Sequence, residues 1–135
     1  KVEPIKYQGA ILIIDDEPTL TSAMKRALQT QGDVSVMNEA KKAAEMLCSL
    51  PKKYFDVILC DLMMPNFTGI EFYRVLEKHR PDLLDTIVFI SGGAFTPEAI
   101  DFMDKMHVKL INKPFSIEEL RNHVQALLGE KKKIA

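Results

Sequence analysis

The sequence has 135 residues, of which 47% are hydrophobic and 27% are charged, and its formal net charge is −1. This length fits one compact domain. The near-neutral charge argues against a general attraction to nucleic acid or anionic membranes, and no apolar run approaches the ~20 residues of a membrane span. The chain begins at Lys1 without an initiator methionine, which favours a piece of a longer protein.

Cys48 and Cys60 form no CxxC pair, and the three histidines show no metal-ligand spacing with each other or with cysteine. The pattern is typical of free thiols in a reducing compartment, so we expect a cytoplasmic location. A zinc site built from these residues is not expected.

Five short apolar runs alternate with five helical patterns along the chain. The predicted strands are 10–14, 34–37, 57–60, 86–90 and 108–111. Between them, apolar residues recur at the i, i+3, i+4, i+7 spacing of one helix face. The second run is the shortest and weakest, which suits a strand at the edge of a sheet.

Capping residues predict where several helices begin and end. Asn38 is a possible cap of the second helix, and Thr96 before a proline is a cap of the fourth. Ser116 with Glu119 predicts a capping box for the fifth helix, and Gly129 predicts its end.

Strict alternation of apolar strands and helices predicts a parallel sheet covered on both sides. Five units are too few for an eight-stranded barrel, so the predicted fold is α/β, a single doubly wound (βα)5 domain. We expect this domain to span residues 10–129, after an N-terminal extension of residues 1–9 and before a basic tail of residues 130–135.

Polar residues follow four of the five predicted strands, at the edge where open parallel sheets bind ligands. They are Asp15-Asp16-Glu17, Asp61, Ser91-Gly92-Gly93 and Asn112-Lys113-Pro114. Taken singly, each group has an ordinary explanation as a helix cap, a turn or an exposed loop. The first group also resembles the metal-binding strand of a P-loop ATPase, but the chain has no GxxxxGK[ST] loop.

The combination is more informative than any single group. Three carboxylates at one edge repel by about 4 kcal/mol per pair at ~4 Å and an effective dielectric near 20. A divalent cation relieves this repulsion, and an all-oxygen site suits Mg²⁺. A carboxylate nucleophile, a hard cation, a lysine and a hydroxyl are the groups that phosphoryl transfer to an aspartate requires.

Four motifs, IIDDEP, ILCDLMMP, FISGG and INKPF, occur in this order at the strand ends. Together they resemble the receiver domain of two-component response regulators, the CheY-like family. The resemblance covers residues 10–128 and implies the strand order 2-1-3-4-5. It implies that Asp61 accepts a phosphoryl group, while Mg²⁺ is held by Asp15, Asp16, Asp61 and the backbone carbonyl of Met63.

The resemblance also assigns roles around the acceptor. Lys113 would pair with the carboxylate and then with the phosphoryl group, Ser91 would donate a hydrogen bond to that group, and the bond before Pro114 would be cis. Leu110 departs from the family pattern, because many receivers carry a tyrosine or phenylalanine three residues before the lysine. The route by which such a signal reaches the surface is left open at this position.

The implied partners are a histidine kinase or phosphotransfer protein, which supplies the phosphoryl group, and a downstream protein target. The protein would catalyse its own phosphorylation and dephosphorylation. The target would bind the face formed by the fourth helix, fifth strand and fifth helix, with no direct contact to nucleic acid or membrane. The segment SGGAFTPEA also resembles receivers fused to hybrid sensor kinases.

Two alternatives remain at the level of sequence. One is a receiver-like interaction module that is never phosphorylated, although Asp15, Asp16, Asp61, Ser91 and Lys113 are all intact. The other is an aspartate-based phosphatase of the haloacid-dehalogenase type. That class carries a second acidic residue two positions after the nucleophile, where this chain has Met63.

Overall fold

Five parallel strands form one sheet in the order β2-β1-β3-β4-β5. The structure, a computed structural model, describes residues 7–93 and 96–134, with side chains described up to residue 130. The strands are β1 (Gly9–Ile14), β2 (Gly32–Met37), β3 (Val57–Asp61), β4 (Ile87–Ser91) and β5 (Lys109–Asn112). The predicted doubly wound α/β fold and its strand order are confirmed.

Five α-helices follow the strands and cover both faces of the sheet. They are α1 (Pro18–Leu28), α2 (Ala40–Ser49), α3 (Gly69–His79), α4 (Pro97–Met106) and α5 (Ile117–Ile134). Two short 3₁₀ helices, Gln29–Gln31 and Pro81–Thr86, lead into β2 and β4. None of the helices within the described residues is long and apolar enough to span a membrane.

The central strand β3 explains the apolar run that precedes Asp61, because all five of its residues are buried. Its side chains alternate between two cores. Ile58 and Cys60 pack with residues of α2, α3 and α4, whereas Val57 and Leu59 pack with residues of α1 and α5. Each large apolar side chain that is fully buried contributes roughly 1.5–3 kcal/mol, so the two cores hold the end of β3 rigidly.

Strand β2 has the exposure expected of an edge. No residue of Gly32–Met37 is fully buried, and among residues 7–93 and 96–134 β2 pairs with β1 only, in parallel register from Gly9 opposite Gly32 to Ile14 opposite Met37. The weaker apolar pattern of this strand reflects its position, since its other long side pairs with no strand in the described part of the chain.

Several predicted caps are present. The Thr96 side chain accepts a hydrogen bond from the Ala99 backbone N–H at 3.1 Å. Ser116 and Glu119 form the reciprocal capping box, with distances of 2.9 and 3.0 Å. Thr68 and Glu71 form a further capping box at the start of α3. That box was missed in the sequence although its T-x-x-E pattern is readable.

The prediction that Asn38 caps α2 is wrong. Glu39 is the N-cap residue, and its side chain makes no capping hydrogen bond. The Asn38 amide instead donates to the backbone carbonyl of Asp15 at 2.7 Å. A contact with the neighbouring strand therefore takes the place of the local cap.

The prediction that Gly129 ends the last helix is also wrong, because α5 continues to Ile134. Gly129 packs closely on Tyr7: a Cβ atom at this position would lie 3.0 Å from the Tyr7 ring, closer than an ordinary contact. The Gln125 side chain holds Tyr7 in place by binding its backbone N–H at 3.1 Å and its carbonyl at 2.8 Å. A contact with the start of the chain thus explains a glycine that resembles a helix stop.

Candidate functional site

The predicted acidic residues meet at the carboxyl ends of β1 and β3. These strands are neighbours, with Ile14 opposite Cys60, so the residues that follow lie side by side. Ligand oxygens of Asp15, Asp16 and Asp61 all lie within 4.8 Å of one another. Asp15 is 0% exposed and Asp61 is 7% exposed, while Asp16 is exposed to solvent. An all-oxygen donor set with one open side fits Mg²⁺, which retains several water ligands in proteins.

The Asp61 carboxylate is held by the loop that follows it. Its Oδ1 accepts a hydrogen bond from the Met63 N–H at 3.1 Å. Hydrogen bonds connect the two ends of this loop to β4 and to each other. The Leu62 N–H donates to the Ile90 carbonyl at 2.9 Å, and the Gly69 N–H at the start of α3 donates to the Leu62 carbonyl at 3.0 Å. The Met63 side chain is 39% exposed, so the loop backbone, and not packing of this side chain, determines the geometry.

Gly69 allows the loop to close this tightly. A Cβ atom at this position would lie 2.8 Å from the Asp61 carbonyl oxygen and 3.0 Å from Cε1 of Phe89. Both distances are shorter than ordinary van der Waals contacts, and one involves backbone that cannot rotate away. The residue is therefore part of the site, because only glycine fits the closed loop without displacing it.

Asp15 is the most deeply buried of the three carboxylates. Its Oδ1 accepts from the Glu17 N–H at 3.0 Å. Burial raises the pKa of the Asp15 carboxyl above its ordinary value, and the nearby charges of Asp61 and Asp16 raise it further. The Glu17 hydrogen bond and the Lys113 charge act in the opposite direction without cancelling the effect. The carboxylate form is thus held at an electrostatic cost.

Lys113 supplies the positive charge of the site. Its Nζ lies 3.5 Å from Oδ2 of Asp15, 3.7 Å from Oδ2 of Asp61 and 3.8 Å from Oε1 of Glu17. Its backbone N–H donates to the Ser91 carbonyl at 2.7 Å, and the Lys113–Pro114 peptide bond is cis, as the resemblance implies. One ammonium group facing several carboxylates leaves a surplus of negative charge, which favours a bound cation.

Ser91 ends β4 and is completely buried. It follows Ile90, which pairs with Asp61, and it lies opposite Asn112 of β5. Its Oγ accepts from the Gly93 N–H at 3.4 Å. This register places the hydroxyl-bearing residue on the strand next to Asp61, at the same edge of the sheet as the carboxylates and Lys113.

Phe89, on the same strand as Ser91, carries an aromatic side chain, whereas position 110 on the adjacent β5 is a leucine. Leu110 is half-buried and pairs with Phe89 of β4. The Phe89 ring lies 5.8 Å from the Phe102 ring of α4 and 6.2 Å from the Tyr73 ring of α3, measured between centroids. The rings therefore connect β4 to α3 and α4.

Burial of the adjacent Cys60 keeps it from competing as a nucleophile. Burial raises the pKa of this thiol well above its ordinary value, and the charges of Asp61 and Asp15 act in the same direction. Cys48 is half-buried on α2, and neither cysteine forms a disulfide. Their interpretation as free thiols is confirmed.

An open five-stranded α/β sheet with carboxylates and a lysine at its carboxyl edge has the architecture of two-component receivers. A family model described as the response regulator receiver domain matches residues 11–125. The chain belongs to this family, a phospho-accepting module of two-component systems.

Curated relatives agree with this assignment. The transcriptional regulatory protein BtsR of Salmonella typhi is 31% identical over 124 residues, which are 91% of this chain and 49% of that protein. The transcriptional regulatory protein TrcR of Mycobacterium tuberculosis is 29% identical over 119 residues, 87% of this chain and 44% of that protein. The chain spans about half the length of these relatives.

Solved structures show the same fold. The receiver domain of the Francisella response regulator 1452 matches with a TM-score of 0.74 and 25% identity, over 92% of this chain and 99% of that one. A response regulator receiver domain from Clostridium thermocellum matches with a TM-score of 0.78 and 22% identity, covering 94% and 99%. Chemotaxis response regulator CheY4 of Vibrio cholerae gives 0.73 and 23%, covering 90% and 99%.

Proposed function

We propose that the protein accepts a phosphoryl group on Asp61 from a phosphohistidine of a histidine kinase or phosphotransfer protein. One observation carries this proposal. The Asp61 carboxylate lies within 4.8 Å of ligand atoms of Asp15 and Asp16, and 3.7 Å from the Lys113 ammonium. The end of β3 thus combines a nucleophilic carboxylate with a neighbouring cation site and the positive charge of Lys113.

In the proposed reaction an Asp61 carboxylate oxygen attacks the phosphorus atom in line with the phosphorus–nitrogen bond. That bond breaks as the new oxygen–phosphorus bond forms, and its electron pair returns to the imidazole ring. Lys113 lies near enough to contact the transferred phosphoryl group, and its positive charge offsets the negative charge of the equatorial oxygens. Hydrolysis of the acyl phosphate by water would later restore Asp61.

The metal in this proposal is Mg²⁺, held by Asp15, Asp16, Asp61 and the backbone carbonyl of Met63. When bound, Mg²⁺ supplies positive charge at the phosphoryl oxygens. The proposal is supported by the all-oxygen donor set and by the cost of holding Asp15 ionised without a cation. Ser91 would donate a hydrogen bond from its hydroxyl group to a phosphoryl oxygen, and this bond would link phosphorylation to the position of β4.

The output would be a conformational change at the face formed by α4, β5 and α5. A downstream protein would bind this face, and the domain itself would not contact DNA or membrane. Free thiols at Cys48 and Cys60 support a cytoplasmic location. Since Leu110 replaces the aromatic residue of many receivers, the aromatic cluster around Phe89 is the better candidate to carry the change from Ser91 to α4.

Labelling with a small phosphodonor tests the proposal. Acetyl phosphate and Mg²⁺ should phosphorylate the wild-type protein, and chelation of Mg²⁺ should prevent the labelling. Asp61→Asn should abolish it, while Asp104→Asn, at an exposed position of α4, should label normally. Equal labelling of Asp61→Asn and wild type would show that the acceptor is another residue.

A further inference from the structure

A second surface lies between α3 and α4, where an open groove of about 480 Å³ has an apolar floor. The floor residues are Phe67, Ile70, Val75 and Phe102. Phe102 is buried, and the other three are half-buried. Ile70 and Val75 lie on α3, Phe67 lies in the loop before it, and Phe102 lies on α4, so the floor is built from both walls of the groove and the loop between Asp61 and α3.

The edges of the groove are acidic. Glu71, Glu98 and Asp101 line it with exposed side chains. The groove also contains Arg74, whose guanidinium lies over the Phe102 part of the floor and pairs with Glu77. Its central carbon lies 5.3 Å from the centroid of the Phe102 ring, and its Nη1 lies 3.1 Å from the Glu77 carboxylate. Asp101 also pairs with Lys105 at 3.2 Å, so three carboxylates face two cations and the rim keeps a net negative charge.

We propose that this groove docks an amphipathic helix of a partner protein whose polar edges carry lysine and arginine. An apolar floor between two helices accepts side chains at i, i+3 or i+4, and i+7 of a third helix. The carboxylates of the rim complement a cationic helix and repel an acidic one. This surface shares α4 with the face of α4, β5 and α5, but it lies on the side of α4 that faces α3.

The groove is connected to both strands that carry the proposed chemistry. Phe67 belongs to the loop between Asp61 and α3. The ring of Phe102 packs edge-to-face on Phe89, two residues before Ser91. Resting on the proposed function, this connection implies that phosphorylation of Asp61 alters the affinity of the groove for its helix.

A labelled peptide provides the probe. The peptide has about 18 residues, five helical turns, with leucine at i, i+4, i+7 and i+11 and lysine on its flanks. One control peptide has the same composition in scrambled order, and another carries glutamate in place of lysine. Fluorescence anisotropy should show binding of the cationic helix at least about tenfold tighter than either control. Equal binding of the scrambled peptide, or no binding, would overturn the proposal.

Two matched pairs of variants locate the binding. Asp101→Lys and Asp104→Lys make the same change of charge on α4, but only Asp101 lines the groove. Ile70→Gln and Ile100→Gln remove the same side chain, and only Ile70 lines the groove. The first member of each pair should weaken binding about tenfold or more, and the second less than about twofold. Equal effects within the pairs would place the peptide elsewhere and refute the docking site.

Phosphorylation is measured separately in the same variants. Asp101→Lys and Ile70→Gln should label with acetyl phosphate as well as wild type, because neither contacts Asp61. Wild type that binds the peptide but is not labelled would refute the proposed function and leave the docking site standing. If labelled protein binds the peptide with unchanged affinity, the coupling between Asp61 and the groove is wrong.

Discussion

At the scale of single residues, Asp15 shows why this site favours a cation. The carboxyl is completely buried, and two further carboxylates lie within 4.8 Å of it. Its single short hydrogen bond comes from the Glu17 backbone, and Lys113 is shared with Asp61 and Glu17. The ionised Asp15 carboxylate therefore lowers the stability of the folded state. Buried carboxyl groups with a raised pKa are common at functional sites.

Asp15→Asn should stabilise the protein in Mg²⁺-free buffer by about 1–2 kcal/mol, the usual size of a single substitution effect. Asparagine keeps an acceptor for the Glu17 N–H and removes the buried charge. The folded-state pKa of Asp15 is raised above its ordinary value of 3.8. Ionisation of Asp15 therefore costs no folding stability at pH values below 3.8, and the loss of stability develops as pH rises through the folded-state pKa.

Urea unfolding at several pH values measures this effect. The stability gain of Asp15→Asn should vanish in acid and be largest at neutral pH. Asp33→Asn, at an exposed position of β2, is the control. A gain that does not change with pH would show that burial of the Asp15 charge is not its origin.

Gly69→Ala should destabilise the protein by about 1–3 kcal/mol, the range for overpacking. The added methyl group would lie 2.8 Å from the Asp61 carbonyl and 2.8 Å from the Leu62 Cα, so the loop that holds Asp61 must move. Labelling of Asp61 should slow in parallel. Gly92→Ala is the matched control, because a Cβ there meets nothing within 4 Å. Equal stability of the two variants would show that the loop yields freely.

At the scale of elements, the sequence predicts each strand and helix because its signals are local. Apolar periodicity and capping pairs such as Ser116 with Glu119 need only a few neighbouring residues. The predictions for Asn38 as a cap and Gly129 as a helix end are wrong because both residues contact distant parts of the sequence, Asp15 and Tyr7. The grouping of the acidic residues was predictable from parallel strands ending at one edge, whereas distances and burial required the packed structure.

Arg80 illustrates a contact between elements that the sequence does not reveal. Its Nη1 donates to the carbonyls of Leu47 at 2.7 Å and Leu50 at 2.8 Å, at the end of α2. The side chain is 14% exposed. Arg80→Gln should lower the free energy of unfolding by about 1–2 kcal/mol, because it removes hydrogen bonds from these carbonyls. Arg26→Gln, at an exposed position of α1, should have little effect in the same denaturation assay; equal losses would contradict this role.

At the scale of the whole molecule, one of the two cores beside β3 also supplies the floor of the groove between α3 and α4. The two cores on either side of β3 fix the carboxyl edge of the sheet, where the acidic cluster and Lys113 lie. The groove between α3 and α4 lies beside this edge and shares the loop after Asp61. The proposed charge change at Asp61 would therefore act on the surface that we propose as a docking site.

Binding of Mg²⁺ should stabilise the whole domain. A ligand that binds only the folded state at a hundredfold excess over its dissociation constant adds about 2.7 kcal/mol. Thermal unfolding should show this stabilisation for wild type and its loss in Asp16→Asn, which removes the exposed carboxylate of the cluster. A Mg²⁺ response unchanged by Asp16→Asn would place the ion elsewhere.

The most direct test of the account is to locate the phosphoryl group after reaction with acetyl phosphate and Mg²⁺. Borohydride reduces an aspartyl phosphate to homoserine, and peptide mass spectrometry then identifies the modified residue. The account predicts modification of Asp61 alone, dependent on Mg²⁺. Modification of another aspartate, or none in protein that is shown to be folded, would contradict it.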